Sequence, residues 1–294
     1  MFIIENDQLR VEVAPKGAEI KRIYNKETDK EMLWSGDAKF WGRVSPVLFP
    51  IVGRVANDVY YVDGKEYSLS QHGFARDEEF ALISCSEEKL WLELSSNEAS
   101  LAKYPYPFSL RIGYELDGSQ VTVKWEVENT GESEMAFSIG AHPAFSTKLE
   151  GEDALSDYYL HLETNEKVET YLFDSANGLI KDEKEIIMPD LKLIPLSTDL
   201  FEEYPTLILE GETGLTLKSY NHDHGVEVKF EGFPYVGIWS PVSSDGEEAP
   251  FVCIEPWFGM ADTNAAPGEL GNKKGIQKLG ASKTFEAAYC MIFR

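Results

Sequence analysis

Ser109-Leu110-Arg111-Ile112-Gly113-Tyr114-Glu115-Leu116, then Asp117-Gly118, then Val121-Thr122-Val123-Lys124-Trp125-Glu126-Val127-Glu128, is the stretch on which the fold turns. Leu110, Ile112, Tyr114 and Leu116 fall on one face of an extended chain, with Arg111 and Glu115 on the other. After Asp-Gly, Val121, Val123, Trp125 and Val127 alternate with Thr122, Lys124, Glu126 and Glu128. Successive side chains of a strand point to opposite faces, so each run offers one face to a core and one to water. Asp-Gly tolerates the positive φ that a tight hairpin turn demands. The stretch predicts a half-buried antiparallel hairpin.

The same period recurs through the chain. Leu9-Arg10-Val11-Glu12-Val13 shows it, Leu90-Trp91-Leu92-Glu93-Leu94 is a mostly buried version, and Val226, Val228 and Phe230 alternate with Glu227, Lys229 and Glu231. Asp63-Gly64 joins residues 59–62 to 65–69 as a second hairpin, and Thr130-Gly131 and Thr213-Gly214 are weaker turns. Helical periodicity is confined to residues 97–103, with Asn97 as a cap. The acidic runs 150–157 and 182–185 read as surface loops, and residues 284–293 as the last strand. No linker, repeat or low-complexity tract divides the chain. The expectation is all-β: one large antiparallel β-sandwich domain over residues 1–294 with few short helices.

Composition bounds the function. At 294 residues the chain can bury a core that needs no staples. Cys85, Cys253 and Cys290 are an odd number at unrelated spacings, each in an apolar run. That reads as buried free thiols in a reducing compartment, not as a disulfide framework or metal motif. The opening Met-Phe-Ile-Ile-Glu-Asn-Asp has no basic segment and no long apolar stretch. The expected protein therefore has no signal peptide or membrane span and is cytoplasmic, as a monomer or homodimer. A formal charge of −24, from 51 acidic and 27 basic residues, repels nucleic acid and anionic membranes. It also disfavours a highly anionic substrate unless arginines gather locally.

Four segments break the alternation with polar residues set among glycines, prolines and aromatics, where a β scaffold usually carries function. The first, residues 45–57, ends an apolar run at Gly53-Arg54, and arginine's planar fork suits hydroxyls or a carboxylate. The second is Gln71-His72-Gly73-Phe74-Ala75-Arg76. The third is Phe137-Ser-Ile-Gly-Ala-His142-Pro-Ala-Phe145, with an imidazole held between small residues and a proline, suited to acid–base work near neutral pH. The fourth, residues 251–262, carries Glu255 after four apolar residues. A carboxylate there is costly unless held, and burial or hydrogen bonds tune its pKa. Each has a plainer reading: a surface arginine, a loop histidine, a turn histidine satisfied by backbone, a buried ion pair. His222 and His224 resemble a metal pair but lack a nearby third ligand, so no metal is expected. A phosphate loop and a nucleophile elbow are both missing.

These segments, in this order and spacing, resemble the aldose 1-epimerase (galactose mutarotase) family, in particular its LacX-like branch. The resemblance is carried by Gly53-Arg54 with Asn57, Gln71-His72-Gly73-Phe74, Gly140-Ala141-His142-Pro143-Ala144-Phe145, Pro234-Tyr235-Val236-Gly237-Ile238-Trp239 and Ile254-Glu255-Pro256-Trp257. It implies a β-sandwich with an open sugar cleft on one sheet, His142 as general acid and Glu255 as general base. It further implies that Arg54 and His72 contact the sugar, with Asp199 the candidate for the aspartate that holds sugar hydroxyls. Asp199 also reads as the cap of a short helical turn, with Glu202 completing a capping box. Trp239 or Trp257 offers a ring face to the sugar. The implied reaction interconverts α and β anomers of a small-molecule hexose such as galactose or glucose, without cofactor or metal. Rival readings are a hexose-6-phosphate 1-epimerase using Arg54 and Arg76, with Arg43 near, a non-catalytic carbohydrate-binding or sensor protein, and a lyase or hydrolase needing a second facing carboxylate.

Overall fold

The computed structural model describes residues 1–188, 192–243, 247–263 and 266–294. It is a large antiparallel β-sandwich. One sheet has nine strands, ordered Leu193–Pro195, Tyr158–Leu162, Gly214–Ser219, Val226–Lys229, Thr284–Phe293, Gln120–Asn129, Phe108–Asp117, Lys89–Ser95 and Ala81–Cys85. The second runs Leu207–Glu210, Tyr235–Trp239, Phe251–Phe258, Ile139–Ala141 and Val47–Leu48, with Ala144–Ser146 also pairing to Phe251–Phe258. A four-stranded sheet from Phe2–Glu5 to Lys30–Glu31 and three two-stranded ribbons complete it. Among the described residues the α-helices are Glu98–Lys103 and Thr198–Glu203.

The predicted hairpin lies inside the nine-stranded sheet, paired from Phe108↔Asn129 to Asp117↔Gln120. Its tight turn is Gly118-Ser119, one residue beyond the expected Asp-Gly, with Gly118 at φ 55°. Leu110, Ile112, Trp125 and Val127 join Val236, Ile238, Val252 and Ile254 of the second sheet in one apolar core. Trp125 meets Phe233 and Tyr289 edge-on at 5.7 Å each. Truncating such a side chain to Ala costs about 3–5 kcal/mol. On the outer face Arg111 reaches Glu93, Glu126 and Glu128 at 3.0, 3.3 and 3.2 Å. Half-exposed pairs of this kind add little stability, and the alternation of faces sets the register.

Most local expectations hold. Asp63-Gly64 closes the hairpin Val59–Val62 to Lys65–Ser68. Asn97 caps Glu98–Lys103 in a capping box with Ser100. Two expectations are corrected. Residues 182–185 belong to the strand Leu179–Met188, exposed because its hairpin partner covers only one edge. Cys85 is exposed, since its strand ends the nine-stranded sheet with both faces open, while Cys253 is buried and Cys290 half-buried. A third, the surface loop at 150–157, holds apart from its buried Asp153 and Leu155. No described helix is long and apolar enough to cross a membrane.

Candidate functional site

The strand Phe251–Phe258 splits its side chains between two faces. Val252 and Ile254 enter the main core, while Phe251 and Cys253 join an aromatic cluster on the other face and Trp257 a third. Alternation puts Glu255 on that second face. Gly237 of the neighbouring strand pairs with Glu255. On the other side Gly140 pairs with Trp257 and Ala144 with Cys253. His142 and Glu255 are each the midpoint of those pairings, so the imidazole stands across from the carboxyl. Pro143 interrupts the ladder there, and its carbonyl accepts from the Ile254 N–H at 3.3 Å. The glycines make room for Trp257. A Cβ on Gly237 or Gly140 would lie 2.4 or 2.5 Å from the indole.

A cavity of about 300 Å³ covers this face, with His142, Glu255, His72, Arg76, Trp239 and Trp257 in its wall. His142 Nε2 and Glu255 Oε2 are 3.3 Å apart, with 7% and 1% of these residues exposed. The contact falls outside hydrogen-bond geometry. His142 Nδ1 and Glu255 Oε2 have no hydrogen-bond partner among the described residues, and neither does the Trp257 indole N–H. Burial pushes the Glu255 carboxyl well above the usual carboxylate range, offset only in part by the nearby Trp257 N–H. Burial, then the charges of Arg76 and Arg43, push His142 down to about 3. Both groups therefore favour their neutral forms in the ligand-free cavity.

His72 reaches the site from a strained turn, at φ 67° beside Gly73 at φ 69°. Its N–H donates to the Gly53 carbonyl at 2.8 Å, and its Nδ1 accepts the Gly53 N–H at 3.1 Å. Burial, then His142 and Arg76, hold it neutral. With Nδ1 accepting, the proton sits on Nε2, 3.2 Å from the Gln71 amide, which must turn its oxygen inward. Arg76 donates to the Gln71 carbonyl at 2.7 Å, and its buried Nε, 3.9 Å from Asp77 Oδ2, has no hydrogen-bond partner among the described residues. Arg43, Arg54 and Arg76 all bear on His72, so arginines do gather locally in an acidic chain.

Two expected residues lie elsewhere. Arg54 is half-buried with its methylenes against Gly178, outside the cavity wall, although its charge reaches His72. Asp199 is exposed on Thr198–Glu203 and lies off the wall. It is not the cap either, because Ser197 Oγ accepts the Leu200 N–H at 3.1 Å. His222 and His224 instead face Asp153 and Glu150 at 3.0 and 3.2 Å in a surface loop. Sequence reasoning missed Trp41, which stacks on His142 at 4.6 Å and 27° and meets Trp239 edge-on at 5.5 Å. Its signal was a pair of aromatics inside a Gly- and Asp-bearing loop. It also missed Phe173, Gly178 and Ile180, which line the cavity from the hairpin Val168–Asp174 and Leu179–Met188. Nothing in their local sequence marks them.

Comparison with known proteins extends over the whole architecture. The sequence profile of the family described as aldose 1-epimerase matches residues 1–276. Protein LacX of Lactococcus lactis subsp. lactis, in plasmid and chromosomal forms, is 29% identical over 97% of both chains. A solved galactose mutarotase related enzyme from Lactobacillus acidophilus is 34% identical, with a TM-score of 0.93 over 100% of this chain and 97% of its own. A galactose mutarotase-like protein from Lactobacillus casei ATCC 334 is 31% identical, with a TM-score of 0.93 over 100% of both.

Proposed function

Because the chain belongs to the aldose 1-epimerase family, we propose that this sugar epimerase interconverts the α and β anomers of a free hexose such as galactose or glucose. The observation that carries the reading is the His142–Glu255 pair, 3.3 Å apart on a cavity wall and short of partners. Buried polar atoms are nearly always satisfied, and those left open point to a ligand.

Glu255 takes the proton of the C1 hydroxyl while His142 gives one to the ring oxygen. The C1–O bond to the ring breaks as the C1 carbonyl forms. The C1–C2 bond turns, and closure on the other carbonyl face reverses both transfers. Each placed transfer is worth about 10²–10⁴ in rate. This needs imidazolium facing carboxylate, whereas the ligand-free site favours both groups neutral. The two forms hold the same single proton, so the working form arises by transfer within the pair. Sugar hydroxyls filling a dry cavity supply the dipoles that favour charge separation. Arg76 donates from its guanidinium to sugar hydroxyls, His72 donates from Nε2 once the sugar takes the place of the Gln71 amide, and Trp239 and Trp257 offer ring faces.

A second reading draws on one observation. Arg76 lines the cavity with Arg43 and Arg54 near, which suits a hexose 6-phosphate. Against it, Arg43 already pairs with Asp77 at 2.8 Å.

Polarimetric relaxation of fresh α-D-glucose and α-D-galactose tests the proposal, with wild type beside Glu255→Gln and His142→Asn. Acceleration by wild type that both folded variants lose is expected. No acceleration of free hexoses alongside turnover of a hexose 6-phosphate transfers the activity to the second reading. Calorimetric binding without any turnover makes the protein a carbohydrate binder.

A further inference from the structure

We propose that His142, Cys253 and Glu255 also form a three-ligand site for a thiophilic divalent cation such as Zn²⁺ or Cd²⁺, and that occupancy blocks the acid–base pair. All three residues are buried, and one donor atom from each lies within 4.8 Å of the other two. The placement follows from strand register. Cys253 and Glu255 are two apart on one strand and share a face, and Ala144↔Cys253 beside them sets His142 across the gap.

The His142–Glu255 distance and the charge of the donor set both fit. Two ligands about 2.0–2.1 Å from a tetrahedral zinc stand about 3.3–3.4 Å apart. His142 Nε2 and Glu255 Oε2 are already 3.3 Å apart. One thiolate and one carboxylate balance a divalent cation, and neutral imidazole adds nothing. The complex is net neutral, as a dry site roofed by Trp34, Trp41, Trp239 and Phe251 requires. Sulfur, nitrogen and oxygen donors together select zinc-like metals over Mg²⁺ or Ca²⁺. Glu255 and His142 line the cavity, which gives the ion its entry path and leaves a fourth position open to it. As the metal binds, the Cys253 thiol proton and the Glu255 carboxyl proton both leave to solvent. The metal then occupies the lone pairs that proton transfer uses, so it is an inhibitor and not a cofactor.

The test is a Cd²⁺ titration of the full metal-free chain carrying Cys85→Ser, which removes the exposed thiol. The readout is the ultraviolet thiolate-to-cadmium charge-transfer band, which does not depend on any sugar turning over. Failure of the epimerase reading therefore leaves this result intact. We expect one band at one equivalent, untouched by excess Mg²⁺. Because even outer-shell changes cost about 10–100-fold in metal affinity, adding Cys253→Ser should weaken binding at least about tenfold, and His142→Asn likewise. Cys253→Ala serves as the second variant should the serine chain not fold. In the parallel turnover assay Zn²⁺ should inhibit the Cys85→Ser chain and EDTA should restore it. A band that persists at full affinity without Cys253 overturns the inference, as does the absence of any band in molar excess of Cd²⁺.

Discussion

Two of the histidine–carboxylate pairs among the described residues, one half-buried and one buried, have nearly equal length and opposite character. His222 Nε2 meets Asp153 Oδ2 at 3.0 Å, and His142 Nε2 meets Glu255 Oε2 at 3.3 Å. Asp153 is saturated. It also accepts the Glu150 N–H at 2.8 Å and the Tyr158 hydroxyl at 2.7 Å, and His222 Nδ1 accepts the His224 N–H at 3.2 Å. Burial alone would raise Asp153, but Tyr158, the Glu150 N–H and His222 together hold it below its ordinary value. Glu255 has none of these donors and is pushed the other way. The difference teaches that the chemistry of a pair does not fix its role. The satisfied pair pins a loop, and the unsatisfied one keeps its lone pairs for a ligand.

Removing one carboxylate from each pair should separate them most. Glu255→Gln should lower the anomerisation rate by about 10²–10⁴ while the unfolding midpoint holds or rises, since an unpartnered buried acid is replaced by a neutral amide. Asp153→Ala should leave turnover per folded molecule intact and lower stability by about 1–3 kcal/mol, because three groups lose their partner. Polarimetry beside urea melts checks both. Equal losses of turnover in the two folded variants would erase the contrast.

Titration should separate them next. Asp153 has a folded value below its unfolded one, so its stabilisation is present above the ordinary aspartate value of about 3.9 and is lost as pH falls through the folded value. Glu255 has the reverse sign: its contribution is complete below the ordinary glutamate value and is lost as pH rises through the raised one. Unfolding midpoints across pH should therefore show Glu255→Gln gaining on wild type toward alkaline pH. Turnover should be flat through the ordinary imidazole value of about 6.5, since the pair keeps its one proton there. It should fall only as that proton is lost on the alkaline side or a second is taken near 3. An inflection near the ordinary imidazole value would mean that His142 titrates alone.

Much of this was legible in the chain, and the limits are physical. Period two and Asp-Gly turns mark strands because they are local, which is why the hairpin Phe108–Asp117 to Gln120–Asn129 and the last strand Thr284–Phe293 match expectation. His142 and Glu255 stood out because proline, glycine and a buried acid leave local marks. Their meeting depends on pairing 113 residues apart, which no local pattern encodes. Asp199 shows how weak a lone acid is as a signal, because acids favour helix starts for reasons unrelated to ligands, and it sits exposed in the first turn, two residues after a serine cap. Phe173 and Ile180 reach the cavity through tertiary contacts such as the Ile180 N–H to the Asp262 carbonyl at 2.9 Å and the Ile208 N–H to Thr170 Oγ1 at 2.8 Å.

The smallest expected effect concerns the ring faces. His222 meets Tyr158 edge-on at 5.6 Å and tilts against His224 at 5.4 Å, whereas His142 lies flat against Trp41 at 4.6 Å. The Trp34 indole N–H holds that loop by donating to the Trp41 carbonyl at 2.8 Å. A cation on an indole face gains about 0.5–2 kcal/mol, more when desolvated. Only the charged form of His142 collects it, so Trp41 should favour the imidazolium that ring opening requires. Trp41→Ala should therefore lower kcat by about two- to thirtyfold, and Trp41→Phe should keep most of it. A variant that raises KM while kcat holds would make Trp41 a wall for the sugar, with no hold on the imidazole.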